Sequence, residues 1–207
     1  ALAALENGKR TPSQAISDPG FFTFGNHTFR DDKKGGHGMV DMAKSIVESC
    51  DTYYYTLARD MGVNMMHDFM KPLGFGQITG IDLDGEVRGV LPSTNWKEKT
   101  FKRPEQQKWY EGETISLGIG QGYNSFTILQ LAHATANLAN GGIVMKPHIV
   151  KAIENPITKK KSLTTPKESY RIPLKSEHID VIKNAMLDVN KFGTSAQAFT
   201  GAAYQPA

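Results

Sequence analysis

Glycine punctuates this chain, and it does so most tightly between Gly112 and His148. Gly118-Ile119-Gly120-Gln121-Gly122 turns the backbone, and Thr127 then opens an apolar helical run with Leu129, Leu131, Ala132, Thr135, Ala136, Leu138 and Ala139. Gly141-Gly142 stops that helix, and Ile143 to Ile153, a run that contains Pro147-His148, alternates enough for one strand. A helix fenced in this way must pack as a short unit. The Gly118 to Gly122 turn lacks the Gly-Lys-Ser/Thr ending of a phosphate loop and follows no clean strand, so its glycines read as points of close backbone packing.

Other punctuation divides the rest. Leu2 and Leu5 sit on one face of a helix that Gly8 stops. Thr11 to Gly38 is a long connection rich in Pro, Gly, Asp and aromatics, with little core of its own. Asp41 is a natural N-cap, and Ala43, Ile46, Val47, Cys50, Tyr54, Leu57, Ala58 and Met61 keep helical spacing up to Gly62. Asn64 caps a short helix containing Met65, Met66, Phe69 and Leu73; with Met61 and Met70 these methionines read as core. Gly74 to Pro92 is a glycine-rich loop, and Ser93 to Gly112 is polar and basic with Trp96 and Trp109 as anchors. Asn155 to Glu168 is an exposed hairpin or loop, and Ser176 caps a last helix with Ile179, Val181, Ile182, Ala185, Met186 and Val189. Gly193-Thr194-Ser195-Ala196 and a tail follow, and there is no internal repeat.

A chain of 207 residues, 39% hydrophobic and 22% charged, has the makings of one globular core with one or two subdomains. A net charge of +3 is too mild to argue for nucleic acid. The cluster Lys97, Lys99, Lys102, Arg103, Lys108 reads as a solvated loop, with contact to anionic lipid or glycan as its sharper reading. One cysteine forbids an internal disulfide. No apolar run approaches the ~20 residues that cross a bilayer, and Ala1 opens inside an apolar helix, not at a signal peptide.

Several motifs in a fixed order resemble one family. They are Ser49-Cys50-Asp51; Gly74-Phe75-Gly76 with Thr79-Gly80-Ile81-Asp82-Leu83, Gly85-Glu86, Gly89 and Leu91-Pro92; and the Gly112 to His148 stretch. Together they resemble the transpeptidase domain of class B penicillin-binding proteins. The Asp in Ser49-Cys50-Asp51, with Asp18-Pro19-Gly20 and Arg30-Asp31 upstream, is similar to the elongation-specific members. Such enzymes carry Ser-x-x-Lys with the nucleophile, a Ser-x-Asn type element and Lys-Thr-Gly. No serine here has a lysine three places on, and Lys99-Thr100-Phe101 lacks the glycine. The resemblance places the first element just before Ala1 and the third just after Ala207. Residues 1–207 are then the internal part of one transpeptidase domain.

The resemblance implies an α/β fold of the penicillin-binding, serine β-lactamase-like type. This is an antiparallel sheet covered by helices, with this chain supplying mostly the helical subdomain. It implies a peptidoglycan D,D-transpeptidase that cross-links stem peptides ending in D-Ala-D-Ala through a serine acyl-enzyme during cell-wall elongation, and that β-lactams trap. It further implies a periplasmic domain of a bacterial inner-membrane protein, anchored upstream and working with membrane-embedded elongation partners. A serine β-lactamase or D,D-carboxypeptidase of the same fold, or a non-catalytic interaction module, are the alternative readings.

By composition alone, Ser49 two places before Asp51 is a helix-cap arrangement. The resemblance makes Ser49 a proton relay and Asp51 an orienting group. Asp51 departs from the general Asn, and an ionised carboxylate accepts hydrogen bonds without donating. Ser93-Thr94-Asn95 has the same spacing but sits in a loop after Pro92, and reads as a decoy. Asp18, Asp31, His37 and Cys50 match, in order, a zinc site that some elongation-specific relatives carry. Each has a bland reading as well: turn aspartates, a histidine among glycines, a buried small thiol. As a set they offer two carboxylates, an imidazole and a thiolate, a complete shell for structural zinc. Asp32 rivals Asp31, which is preferred because it follows Arg30 as in the family pattern. His27, His67, His133, His148 and His178 are scattered and receive no role.

Overall fold

The computed structural model describes residues 1–204; residues 205–207, the end of the tail and of the 1–207 domain assignment, lie outside the described residues. In chain order, helix α1 (Leu2–Glu6) precedes four short strands: β1 (Ile16–Asp18), β2 (Phe21–Phe24), β3 (His27–Arg30) and β4 (Gly38–Val40). Helices α2 (Met42–Val47), α3 (Asp51–Met61), α4 (Val63–Met70), α5 (Thr94–Thr100), α6 (Pro104–Gln107), α7 (Glu111–Leu117) and α8 (Ile128–Ala139) follow. Then come β5 (Ile143–Met145), β6 (Ala152–Glu154), β7 (Lys161–Leu163), β8 (Glu168–Arg171) and helix α9 (Ser176–Phe192). The described strands form antiparallel pairs, β1 with β4, β2 with β3, β5 with β8 and β6 with β7. The chain divides into two compact units: 1–68, 92–124 and Lys175 onward in the first, 69–91 and 125–174 in the second.

In the first unit the Thr11 to Gly38 connection is not structureless. It folds as the β2–β3 hairpin nested inside the β1–β4 ladder. Three- and four-residue strands interrupted by turn residues leave no alternation long enough to read. The single helix expected from Asp41 to Met61 is two helices. Asp41 does cap α2, its Oδ1 accepting from the Lys44 amide at 2.9 Å, but the chain breaks at Ser49. Cys50, Tyr53, Leu57 and Ala58 are buried, so the apolar spacing persisted across the break. Asn64 caps nothing; α4 starts at Val63, and Asn64 instead bonds Thr94. Ser93 caps α5 by accepting from the Trp96 amide, which accounts for the Ser93-Thr94-Asn95 triplet. Met61 is buried, whereas Met65, Met66 and Met70 are half-buried. Gly118 lies where a Cβ would approach Tyr54 O to 2.4 Å, so the close packing read from that turn is between α3 and the end of α7.

Lys97 leaves the solvated-loop reading of the basic cluster. It is 2% exposed. Its Nζ donates to both carboxylate oxygens of Glu113, at 2.5 and 2.6 Å, and to Lys108 O at 2.8 Å. Trp109, Tyr110 and Tyr123 present their rings to the ammonium at 5.3–5.6 Å. Helical register places Lys97 on the inner face of α5, and the aliphatic stem lets it be buried while the charge is matched.

In the second unit α8 is capped as expected: Thr127 Oγ1 accepts from the Gln130 amide and the Gln130 side chain accepts from the Thr127 amide. Its buried residues, however, are Gln130, Ala134 and Asn137, while Leu131 is exposed. Gln130 Nε2 donates to Gln77 O and Arg88 O, and Asn137 Nδ2 to Leu73 O. The glycine-rich loop brings backbone carbonyls to this helix, and amides are what satisfy them. Glu86 pins the same loop by accepting from the Thr79 and Gly80 amides and the Thr79 hydroxyl. Asp82 accepts from the Ile149 and Val150 amides. Thus Glu86 holds the motif's own loop, and Asp82 ties that loop to the segment between β5 and β6. Behind it Leu73, Ala134, Val144 and Ile172 form a small core with Phe69, Phe75 and Leu174. The strand expected from Ile143 to Ile153 is two strands in different sheets, because Pro147 interrupts it. Residues from Asn155 to Glu168 do include an exposed hairpin arm, β7.

Back in the first unit, the N-cap of α9 lies one residue before the expected Ser176: it is Lys175, and Ser176 is the first residue of the helix. Ile179, Ile182 and Ala185 are its buried residues.

Burial works against ionisation of Glu113, but donors from Lys97, the Tyr110 amide and the Tyr123 hydroxyl outweigh it and hold the carboxyl below its ordinary range. A carboxyl depressed in the folded state contributes stability above its unfolded pKa and loses it as pH falls through the folded one. Glu113→Gln should therefore destabilise the fold by roughly 3 kcal/mol at neutral pH and leave wild type and variant converging in acid. Denaturant melts at pH 7 and in acid check this; a pH-independent gap would mean the pair carries no such weight.

Candidate functional site

The first unit gathers four buried side chains of distant sequence: Asp18, Asp31, His37 and Cys50, whose ligand-type atoms all lie within 4.8 Å of one another. Three elements do the gathering. The β1–β4 ladder pairs Asp18 with Gly38, which sets His37 beside the Asp18 carboxylate. Its two ends close together because Gly36, at φ +79, passes where a Cβ would come within 2.2 Å of Asp18 O. The β2–β3 hairpin delivers Asp31, whose amide donates to Gly20 O at 2.9 Å. The start of α3 supplies Cys50 as its N-cap residue.

Each carboxylate is oriented by backbone donors. Asp18 Oδ1 accepts from the Gly20 amide at 2.7 Å and Oδ2 from the His37 amide at 2.7 Å. Asp31 Oδ2 accepts from the Thr52 amide at 2.9 Å, an otherwise unpaired donor in the first turn of α3. The burial of Asp18 opposes ionisation, but these amides and the His37 ring outweigh it and hold the carboxyl at about 2. Asp31 is likewise lowered: burial opposes, and the Thr52 and Lys33 amides prevail. Burial, then the charges of Asp18 and Asp31, push the Cys50 thiol up. Burial and the neighbouring Asp31 and Asp32 raise Asp51.

Two carboxylates and a thiol converging on one point ask for a cation. With zinc–oxygen and zinc–nitrogen bonds of about 2.0–2.1 Å and a zinc–sulfur bond of about 2.3 Å, tetrahedral O···N edges are about 3.3 Å and S···O edges about 3.5 Å. Here Cys50 Sγ lies 3.5 Å from both Asp18 Oδ2 and Asp31 Oδ2. His37 Nδ1 lies 2.9 Å from Asp18 Oδ2 and 3.2 Å from Asp31 Oδ1. The Asp31 distances are to its two different oxygens, and the His37–Asp18 pair is at hydrogen-bond distance; the donor set, one atom from each residue within 4.8 Å of the others, fits a four-coordinate zinc shell. Asp32 is exposed, in contrast with buried Asp31.

Ser49 stands next to this cluster on a strained backbone. It occupies the residue after the C-cap of α2 at φ 57, the left-handed position that helices usually give to glycine. The Cys50 amide donates to Ser45 O at 3.0 Å and the Ser49 amide to Ile46 O at 3.4 Å, completing a Schellman stop. A serine there costs about 1–2 kcal/mol relative to an unstrained residue. The Ser49 hydroxyl is exposed and lies 3.0 Å from Thr194 Oγ1. Sequence reasoning missed this neighbour, since 145 positions separate the two. Asp51 is the first residue of α3, half-buried.

Residues 1–207 match the family profile described as penicillin binding protein transpeptidase domain. A Haemophilus influenzae protein named peptidoglycan D,D-transpeptidase MrdA is 41% identical over 219 residues, covering 100% of this chain and 32% of the relative. Its namesake from Acinetobacter baumannii is 43% identical over 198 residues, covering 94% and 28%. Among solved structures, Pseudomonas aeruginosa PBP2 in complex with WCK 5153 superposes with a TM-score of 0.85 at 36% identity, covering 99% of this chain and 46% of that one. The chain thus spans less than a third of the length of these two curated relatives. With a profile match along its whole length and two relatives above 40% identity, the chain belongs to the penicillin-binding protein transpeptidase family.

Proposed function

We propose that the protein carrying this chain is a serine-type peptidoglycan D,D-transpeptidase of cell-wall elongation, and a β-lactam target. The observation that carries this reading is the identity of 41–43% with two proteins named as such, extending over nearly all of these residues. The exposed, strained Ser49 ahead of Asp51 supports it, since strain at an exposed polar residue points to function rather than stability. In the reaction a serine hydroxyl attacks the penultimate D-Ala carbonyl of a stem peptide. The ester forms, the peptide bond breaks and D-Ala leaves with a proton. The amine of a second stem peptide then displaces the serine and closes the cross-link. Ser49 carries protons between the general base and the leaving or attacking amine, and Asp51 orients the groups around it. The nucleophile comes from a Ser-x-x-Lys element, which this sequence does not contain.

Zinc is part of the same proposal. Asp18, Asp31, His37 and Cys50 hold it, and four protein ligands leave no open position, so its role is structural. When bound it compensates the buried negative charge and stabilises the Cys50 thiolate. Cys50 lies between Ser49 and Asp51 in sequence, so fixing it fixes both. The protein works in the periplasm, tethered to the inner membrane; among the described residues no helix is long and apolar enough to cross a membrane. A structure of Helicobacter pylori PBP2 in complex with MreC supports a partner within an elongation assembly.

In the full-length protein Ser49→Ala should slow acylation by a fluorescent penicillin by about 10²-fold or more while leaving the melting temperature nearly unchanged. Ser49→Gly should slow it equally and raise the melting temperature, because glycine is unstrained at φ 57. Wild-type acylation in both variants would remove the relay role.

Chelation should lower thermal stability and acylation together, and Cys50→Ser should reproduce both losses. Elemental analysis of untagged protein should find one equivalent of zinc. Metal far below that, with Cys50 freely reactive toward thiol reagents in the folded protein, would return Cys50 to an ordinary core role.

A further inference from the structure

Ser49 and Thr194 meet as two exposed hydroxyls 3.0 Å apart, and each is placed by backbone it cannot easily leave. On the Ser49 side the constraint is the Schellman stop. On the other side the turn after α9 is docked against the last residue of α2. Gly193 approaches so closely that a Cβ would sit 2.2 Å from Val47 O, and the Thr194 amide donates to that same oxygen at 3.3 Å. Ser195 locks the turn from behind, its hydroxyl donating to Asn190 Oδ1 at 2.6 Å. Nothing about the packing of either hydroxyl requires this docking. What it achieves is a fixed contact between them.

A hydroxyl has one proton and two lone pairs, and it rotates to suit its surroundings. An exposed serine left alone would spread its proton over several directions and over water. A second hydroxyl held at 3.0 Å removes that freedom. We propose that Thr194 is a positioning residue for Ser49. Its Oγ1 holds the Ser49 hydroxyl in one rotamer and leaves the remaining valence of Ser49 Oγ turned to the acyl-transfer site. No contact with substrate and no proton exchange is assigned to Thr194 itself. The inference rests on the reading of Ser49 as a proton relay.

The test uses full-length protein, a fluorescent penicillin, and the second-order rate of acylation. Thr194→Val keeps shape and methyl group but deletes the hydroxyl; it should slow acylation about tenfold, the rate effect of one neutral hydrogen bond, with little change in melting temperature. Thr194→Ser restores the hydroxyl and should restore the rate. In the Ser49→Ala background Thr194→Val should have no further effect, because the group it positions is gone. Should Thr194→Val fold poorly, Thr194→Ala against Thr194→Ser makes the same comparison. A wild-type rate for the valine variant overturns the proposal, as does a serine variant as slow as valine. An undiminished effect of Thr194→Val on top of Ser49→Ala also overturns it, while leaving the Ser49 reading intact. A wild-type rate for Ser49→Ala alone overturns the relay reading itself, and this proposal with it.

Discussion

The burial of two carboxylates, an imidazole and a thiol at one point is the constraint on which the first unit is organised. Charged groups removed from water must be paired, hydrogen-bonded or bound to metal. The chain meets the first part of that demand with backbone amides from Gly20, His37 and Thr52, and this is what dictates local shape. The β1–β4 ladder exists only long enough to set His37 against Asp18. The hairpin between them exists to bring Asp31 to the first turn of α3. Short strands with few ladder bonds are weak on their own. The polar cluster supplies the closure that their modest apolar area cannot.

That closure also explains how a strained serine is tolerated. Ser49 is bracketed by the capped end of α2 and by Cys50, which is wholly buried. A left-handed non-glycine residue persists where its neighbours leave it no alternative. The α2 end, the buried cysteine and the docked Gly193 turn act on the same three or four residues. Stability and the proposed relay are thereby joined: the buried cluster residue Cys50 lies between Ser49 and Asp51 in sequence. The second unit follows a parallel logic with neutral groups. A loop too rich in glycine to form regular structure is held by Gln130 and Glu86, whose side chains pair with its carbonyls and amides, while Asn137 bonds Leu73 O just before it.

Much of this was legible because it is local. The Asp41 and Thr127 caps and the Gly62 and Gly141 stops follow from one turn of backbone and its side chains. The four cluster residues could be singled out because the chain has one cysteine and because Asp, Asp, His and Cys came in the order the family resemblance implies. Sequence pattern and structure differ where non-local contacts decide. Spacing alone ran α2 and α3 together, since a Schellman break at a serine carries no glycine to announce it. Lys97 reads from sequence as one of several solvated lysines, since nothing near it reveals that Glu113 and three aromatic rings enclose it. The apolar run of α8 does not reveal that two amides, Gln130 and Asn137, are buried beside Ala134, since the carbonyls they satisfy lie far away in sequence.

The sequence by itself determined the family, the order of the motifs and the chemical types available for a metal shell, because these are properties of residue identity and spacing. Only the tertiary structure decided that Asp31 and not Asp32 turns inward, that Ser49 is held in a left-handed conformation, and that Thr194 stands beside it. Those outcomes depend on which backbone amides and carbonyls end up within about 3 Å of one another. That is settled by packing between segments far apart in the chain.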